Sequence, residues 1–111
     1  MPEPEYVPGT IIRQVFNEGQ FADRVRRGEL RARVFDYNNH LGRRARQKLR
    51  DRRTGRAERK CIRSQMVGFY EAGKLVALVH QYRRRDGSIR GRPDPKWIAH
   101  KGRILKVRQA P

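Results

Sequence analysis

Apolar residues near the start of the chain recur with the spacing of a helix. Between residues 10 and 27 they approximate a 3.6-residue repeat, which predicts one apolar helix face. These residues are Ile11, Ile12, Val15, Phe16, Ala22 and Val25. We expect Thr10 to be the N-cap and Gly28 to end the helical segment. Gly19 interrupts the pattern, so two short helices, or one helix and a loop, fit nearly as well as a single helix.

The pattern becomes alternating in residues 29–37, ELRARVFDY, which predicts a half-buried strand. One side of this strand would consist of Leu30, Ala32 and Val34, and the other of Arg31, Arg33, Phe35 and Tyr37. Arginines beside aromatic rings suit a nucleic acid, because the cations meet phosphates while the rings offer stacking surfaces. Alternatively, Phe35 and Tyr37 pack beneath a helix.

From residue 61 onward the pattern is typical of strands. CIRSQMVGFY and KLVALVHQYRR are rich in β-forming residues, and EAGK between them predicts a hairpin turn. In the second of these strands Leu75, Ala77 and Val79 would share one face, and Val76, Leu78, His80 and Tyr82 the other. Both faces are apolar at its start, so we expect this strand to be central and covered on both sides.

Turn-forming residues divide the last third of the chain. The dipeptide DG at 86–87 predicts a tight type I′ turn. Glycine and proline in the stretch 88–96 interrupt strand pairing and predict a loop there. WIAHKGRILKV, residues 97–107, predicts one more hairpin that turns at its KG dipeptide.

These elements predict the α+β class, with an N-terminal helical segment and an antiparallel sheet of four to five strands. A chain of 111 residues has room for one modest core, and we assign a single domain to residues 10–108. Residues 1–9 contain three prolines and a net charge of −2, so we expect an extended acidic arm that lies across the basic domain. Residues 43–60 would be a basic insertion in the domain.

The charge of the chain points to a polyanionic partner. There are 28 lysines and arginines against 11 aspartates and glutamates, which gives a net charge of +17, and mean hydropathy is −0.99. Repulsion of this size opposes a compact state unless a polyanion offsets it, so nucleic-acid binding is the first prediction. RNA is favoured over DNA because no helix-turn-helix or heptad zipper is recognisable. The alternative is an acidic protein partner, such as an antitoxin or a particle component; no membrane partner is expected.

Basic residues concentrate in the segment 43–60, where ten of eighteen residues are lysine or arginine. Leu41, Ala45 and Leu49 would give a helix over about 41–53 only a thin apolar edge, so we expect this segment to order when phosphates neutralise it. The predicted base platforms are Tyr37, Tyr82 and Trp97. The predicted phosphate contacts are Arg31, Arg33, Arg43, Arg44, Arg46, Lys48, Arg50, Arg52, Arg53, Arg56, Arg83, Arg84, Arg85, Arg90, Arg92 and Lys96.

A second function, RNA cleavage, is suggested by the polar residues of the late strands. Attack by the 2′-hydroxyl of RNA needs a proton acceptor, a proton donor and cations around the phosphorane. The candidates are His80, Tyr82, Arg85, Lys96 and His100. The layout, a helical N-terminus before an antiparallel sheet with basic late strands, is similar to that of the RelE-type toxin ribonucleases over about residues 30–108. This resemblance implies a metal-independent endoribonuclease. Alternatively, His80 is a strand-end residue bonded to the backbone, and His100 lies on the surface beside a turn.

Other chemistries lack the residues they need. PDPK at 93–96 imitates part of a metal-dependent nuclease site, but its two prolines disfavour the core strand on which such a motif sits. Ser64 and Ser88 have no recognisable base partner, and we expect no metal and no cofactor. Cys61 is the only cysteine, which excludes an intramolecular disulfide and indicates a reducing, cytoplasmic setting. No apolar stretch reaches the roughly 20 residues of a transmembrane helix.

Four short motifs together resemble a pattern of small uncharacterised bacterial or phage proteins. They are SQMV at 64–67, HQY at 80–82, DG at 86–87 and GRPDPK at 91–96. The resemblance covers about residues 62–105 and implies one folded unit without a particular activity. The sequence thus predicts an RNA-binding protein first and an endoribonuclease second. A basic structural or assembly component of a ribonucleoprotein or virus particle is third.

Overall fold

The chain forms one six-stranded sheet with two helices in the residues that the computed structural model describes, 2–38, 63–84 and 86–108, the side chains of 36–38 excepted. The helices are α1 (Gly9–Glu18) and α2 (Phe21–Arg26). The strands are β1 (Pro4–Val7), β2 (Arg31–Asn38), β3 (Arg63–Glu71), β4 (Lys74–Arg83), β5 (Ile89–His100) and β6 (Arg103–Val107). Their spatial order is β1-β6-β5-β4-β3-β2, in which β1 is parallel to β6 and all other neighbours are antiparallel. The α+β class is confirmed, but the sheet is larger than the predicted four to five strands and is mixed.

The additional strand comes from the acidic arm. Residues 4–7 pair in parallel with β6, from Pro4 opposite Ile104 to Val7 opposite Val107. The Glu5 carboxylate accepts two hydrogen bonds from the Arg103 guanidinium, at 2.8 and 2.9 Å. The arm therefore lies along the domain as an edge strand. The sequence did not predict this strand, because its prolines disfavour strand pairing.

The helical segment is broken at Gly19, so a single continuous helix is wrong. Gln20 takes a left-handed conformation with φ of 54°, and Phe21 then starts the second helix. A Cβ at residue 19 would lie 2.6 Å from Cε2 of the Phe21 ring, so only glycine fits at this corner without displacing a buried ring. The break lets α1 and α2 place Phe16 and Phe21 in one stack, with ring centroids 5.5 Å apart.

The helix start differs from the predicted N-cap, whereas the helix end matches the prediction. The carbonyl of Pro8 accepts the N–H groups of Ile11 and Ile12 at 3.0 and 3.2 Å, so the N-cap is Pro8 and Thr10 lies inside the first turn. At the other end Gly28 adopts φ of 79° directly after the C-cap residue of α2, the conformation that glycine takes without strain.

The hydrophobic core lies between the helices and one face of the sheet. Residues opposite each other on neighbouring strands share a face, so one row of the register crosses the core from β3 to β6. This row consists of Phe69, Ala77, Ile98 and Leu105, and the exposed Ala32 continues it onto β2. Ile12, Phe16 and Phe21 of the helices pack in the same buried cluster. Full burial of a side chain such as Ile98 stabilises the fold by about 1.5–3 kcal/mol relative to exposure.

The expectation that β4 is covered on both faces is wrong for the described residues. Both helices lie on the face that carries Ala77 and Val79, whereas Leu78 and His80 face away from the helices and are half-buried. The predicted grouping also fails at Leu75, because the β3–β4 register shifts after Phe69 and places Leu75 opposite Tyr70. The apolar start of β4 therefore supplies a second surface, which the described helices do not cover.

The predicted loop at 88–96 is wrong, because β5 continues through it. Of the residues in β5, only Trp97–His100 pair with β6, so among the described strands the earlier part of β5 has β4 as its one partner. Proline is tolerated on such an edge because the missing N–H donor can face outward. Register shifts near Val79 and Tyr82 accommodate the extra residues of β5, and Pro95 is buried opposite Val79.

Three turns join the antiparallel strands from β3 to β6. The β3–β4 turn has φ of 48° at Ala72 and 80° at Gly73, and the β5–β6 turn has 50° at Lys101 and 75° at Gly102. Both are the expected two-residue turns with positive φ at each central position. The turn at 86–87 is wider than predicted: of its two residues only Gly87 has a positive φ, and the Asp86 carboxylate accepts the N–H and the hydroxyl of Ser88 at 2.9 and 2.6 Å.

Candidate nucleic-acid interface on the open sheet face

The sheet face that points away from the helices, here called the open face, receives side chains from every strand. One row of the register crosses all six strands on this face. In spatial order it consists of Tyr6, Lys106, Trp97, Leu78, Gly68 and Arg33. The row contains two aromatic rings and two cations. A sheet face that packs in a hydrophobic core does not carry cations at such positions.

Aromatic rings are exposed at both ends of the open face. Tyr6 on β1 has 61% of its surface exposed, and Phe35 on β2 has 39%. The guanidinium of Arg33 lies over the Phe35 ring, 5.1 Å from its centroid. Exposed rings beside cations can stack with bases while the cations meet phosphates, so this geometry fits the chemistry predicted for β2.

A broad depression of about 940 Å³ lies at the centre and β1 side of the open face. Its lining residues are Tyr6, Met66, Leu75, Leu78, His80, Lys96, Trp97, Lys106 and Val107. The floor is apolar, and the charged lining residues are lysines. Lys96 Nζ lies 2.8 Å from Asp94 Oδ2, whereas Lys106 has no ion pair with any described residue.

His80 lies in this depression with a side-chain partner. Its Nε2 is 2.5 Å from Oγ of Ser64, and its ring meets the Tyr82 ring edge-on with centroids 4.7 Å apart. Burial, reinforced by the positive charge of Lys96 and opposed by Asp94, holds the pKa of His80 below its usual value. The neutral imidazole is therefore favoured near neutral pH. The expectation that Ser64 has no base partner is wrong, because the β3–β4 register brings together two residues that are sixteen positions apart.

The other candidates for RNA cleavage do not all share this site. Tyr82 and Lys96 lie on the open face with His80. His100 is on the opposite, helix-covered face, where its ring meets Phe21 edge-on with centroids 5.6 Å apart. His80 and His100 therefore cannot act on one phosphate. Arg85 lies outside the described residues.

The predicted phosphate contacts divide between the two faces. Arg31 and Arg33 project from the open face of β2, and Arg90 pairs opposite Tyr82 on the same face. Arg83, one residue after Tyr82, belongs to the opposite face by strand alternation. Arg84 stabilises the β4–β5 turn, since its Nη1 donates to Ser88 Oγ at 3.3 Å and to the Ile89 carbonyl at 3.4 Å.

Arg92 is exposed on β5, and the remaining predicted contacts lie outside the described residues. These are Arg43, Arg44, Arg46, Lys48, Arg50, Arg52, Arg53 and Arg56 of the basic insertion, together with the side chain of Tyr37.

Several open-face residues were not among the sequence candidates. They are Tyr6, Ser64, Met66, Leu78 and Lys106. Lys106 could have been found from the alternation in RILKV, where Leu105 faces the core and Lys106 must face away. Tyr6 had no such signal, because its strand contains only four residues and begins at a proline.

Comparison with known proteins does not add a functional assignment. No protein-family model, curated protein or solved structure matches the chain. Within the described residues no three His, Cys, Asp or Glu side chains group as a metal site requires. None of the helices there is long and apolar enough to cross a membrane. The open face is therefore the feature of the described structure that bears on function.

Proposed function

We propose that the protein binds RNA through the open face of its sheet. The observation that supports this most strongly is the row from Tyr6 to Arg33, which presents aromatic rings and cations on a surface that the described helices do not cover. Rings and cations at neighbouring positions match the two parts of a nucleotide, the base and the phosphate.

The distribution of charge also favours this face. On the helix side, acidic side chains are paired with arginines, in the ion pairs Arg24–Glu71, Arg26–Asp23, Arg27–Glu29 and Arg103–Glu5. On the open face Asp94 is paired with Lys96, while Arg31, Arg33 and Lys106 have no described carboxylate partner. With a net charge of +17, the chain gains from a polyanion that neutralises the cations of this face.

RNA is favoured over DNA because the surface is a sheet with exposed rings. Bases in RNA loops and single strands are accessible for stacking on such rings, whereas a DNA duplex hides its base faces and is read by elements that enter its grooves. No described helix carries the cations on one side that a reading helix would need.

Binding should depend steeply on salt. If about 6–10 phosphates are contacted, affinity falls by on the order of 10³ or more between 50 and 200 mM salt. Fluorescence anisotropy with a labelled RNA measures this directly. An affinity that hardly changes over this range would contradict the proposal.

A pair of variants locates the interface. Lys106→Ala removes an open-face cation and should lower the slope of log affinity against log salt by about 1. Lys74→Ala removes an equal charge at the β3–β4 turn, where Lys74 pairs opposite Glu71, and should leave the slope nearly unchanged. Equal effects of the two variants would mean that net charge, not the open face, determines binding.

The second candidate function, endoribonuclease activity, is favoured by the neutral His80 beside Lys96 on the same face. If Nε2–H donates to Ser64, the lone pair of Nδ1 can accept the proton of a 2′-hydroxyl.

Incubation of the protein with RNA in EDTA tests this cleavage activity. His80→Ala should abolish cleavage, and His100→Ala should not, because His100 lies on the other face. Intact RNA with the unaltered protein would reject the enzyme and leave the binding proposal in place.

A further inference from the structure

We propose that the depression between Tyr6 and Trp97 holds one unpaired nucleobase, and that the protein consequently prefers single-stranded RNA to duplex RNA. This inference depends on the proposed RNA binding and adds to it the kind of RNA that is selected.

The dimensions of the depression suit a nucleotide. Its volume of about 940 Å³ lies near the upper end of the roughly 300–1,000 Å³ usual for small-ligand sites. Tyr6 and Trp97 occupy the same register row and are separated by β6. Two strand spacings amount to about 10 Å between their backbones, which places both rings within reach of one nucleotide.

Different side chains of the depression suit the base and the phosphate of a nucleotide. The rings of Tyr6 and Trp97 provide faces on which any base can stack, and Leu78 and Met66 extend the apolar surface on the far side of Trp97. Lys106 stands between the two rings in the row, with no described ion pair, and can meet the phosphate of the same nucleotide.

Only an unpaired base can use this arrangement. In an A-form duplex the base faces are stacked on each other, and side chains reach only phosphates, 2′-hydroxyls and base edges. A duplex can therefore contact the lysines and arginines of the open face but cannot bury a base against Tyr6. An acidic protein would also contact the cations, but unlike a nucleic acid it does not carry a planar ring on every residue to fill the site.

The β1 strand holds Tyr6 in position. Glu5 is bonded to Arg103 on the helix side of the strand, and the Arg108 N–H donates to the Val7 carbonyl at 2.7 Å. The backbone that carries Tyr6, the stacking wall of the site, is thus held by main-chain pairing and does not have to be ordered when a base binds, which lowers the entropic cost of binding.

Trp97 is the only tryptophan in the chain, so its fluorescence reports on the site itself. The experiment titrates the full chain with a single-stranded RNA oligonucleotide and with a fully paired RNA duplex of the same length. Anisotropy of a labelled RNA measures binding, and Trp97 emission measures stacking. We expect the single strand to bind at least tenfold more tightly and to quench Trp97, and the duplex to bind with little quenching.

Tyr6→Ala tests the stacking wall. It should weaken single-strand binding by about 5- to 150-fold, the effect of losing one stacked base, and should leave duplex binding unchanged. Tyr6→Phe keeps the ring and should retain the preference. Ile11→Ala, which trims another exposed apolar side chain on the helix side, is the matched control and should change neither affinity. Circular dichroism establishes that each variant is folded.

The outcomes distinguish this inference from the proposed function. Equal affinities for single strand and duplex, or tight single-strand binding without quenching of Trp97, would overturn the base site and leave RNA binding intact. Quenching by polyglutamate as strong as that by RNA would also overturn it, because polyglutamate has charge but no base. If neither RNA binds at low salt, the proposed function itself fails.

Discussion

Trp97 and Ile98 are neighbours on β5, yet they belong to surfaces of opposite chemistry. Ile98 is fully buried beneath the helices, while Trp97 lines the open depression with Lys106 on one side and Leu78 on the other. Because successive side chains of a strand alternate between faces, the same strands supply both the core and the binding surface. Substitutions one residue apart should therefore separate stability from RNA binding.

The largest expected effect is on the covered face. Ile98→Ala should lower the free energy of unfolding by about 2–5 kcal/mol, because it removes buried methyl groups and leaves a cavity. Urea unfolding followed by circular dichroism measures this. Leu78→Ala is the matched change on the open face; it should cost less stability but weaken RNA binding. If both variants lose the same stability, the two faces are not distinct in the way described.

Added volume should also affect the two faces differently. Gly19→Ala places a methyl group against the buried Phe21 ring and should destabilise the protein by about 1–3 kcal/mol. Gly68→Ala on the open face would approach the half-buried Tyr70 ring to 2.9 Å and the Leu75 side chain to 3.0 Å. These side chains have more room to move, so we expect a smaller loss of thermal stability. The reverse order in thermal melts would contradict the comparison.

Stability should fall in mild acid because of His80. Its pKa is lowered by burial in the folded state, so the unfolded chain binds the proton more readily. The contribution of neutral His80 to the free energy of unfolding is complete above the usual histidine pKa of about 6.5. It is lost as pH falls from there through the lowered pKa of the folded state. Urea unfolding at pH 7.5 and at progressively lower pH values measures this loss. His80→Gln should flatten the dependence in this window; an unchanged profile would exclude His80 as its source.

The smallest effect concerns the exposed edge at β1. The hydrogen-bonded Arg103 holds the pKa of Glu5 below its usual value. The stability contributed by this pair is therefore present above the usual glutamate pKa range and is lost as pH falls through the lowered pKa of Glu5. Glu5→Gln should loosen β1 without changing global stability much. Faster hydrogen exchange of the Arg108 N–H, which is bonded to Val7, would show this, and unchanged exchange would mean that main-chain pairing alone holds the strand.

Local chemistry explains which elements the sequence could predict. Alternation identified β2, β3 and β4, and the glycines after Ala72 and Lys101 marked two tight turns, because these signals involve residues close together in the chain. The continuous β5 was missed, since tolerance of Pro93 and Pro95 depends on their place in a part of β5 that, among the described strands, pairs only with β4.

The candidate site was predictable only in part for a related reason. Trp97, Lys96, Tyr82 and His80 were recognised as candidates from their polar or aromatic side chains. Their grouping could not be read from the chain, because Ser64 reaches His80 only through the β3–β4 register and Tyr6 reaches Trp97 only through β6. His100, similar to His80 in sequence context, lies on the other face.

By itself the sequence determined the α+β class, most strands and the strongly basic character of this protein, because side-chain periodicity and net charge are properties of the chain alone. Only the tertiary structure decided that one sheet face lies uncovered by the described helices, that β1 adds Tyr6 to it and that His80 and His100 are on opposite sides. These features depend on strand order and register, which arise from contacts between residues far apart in the sequence.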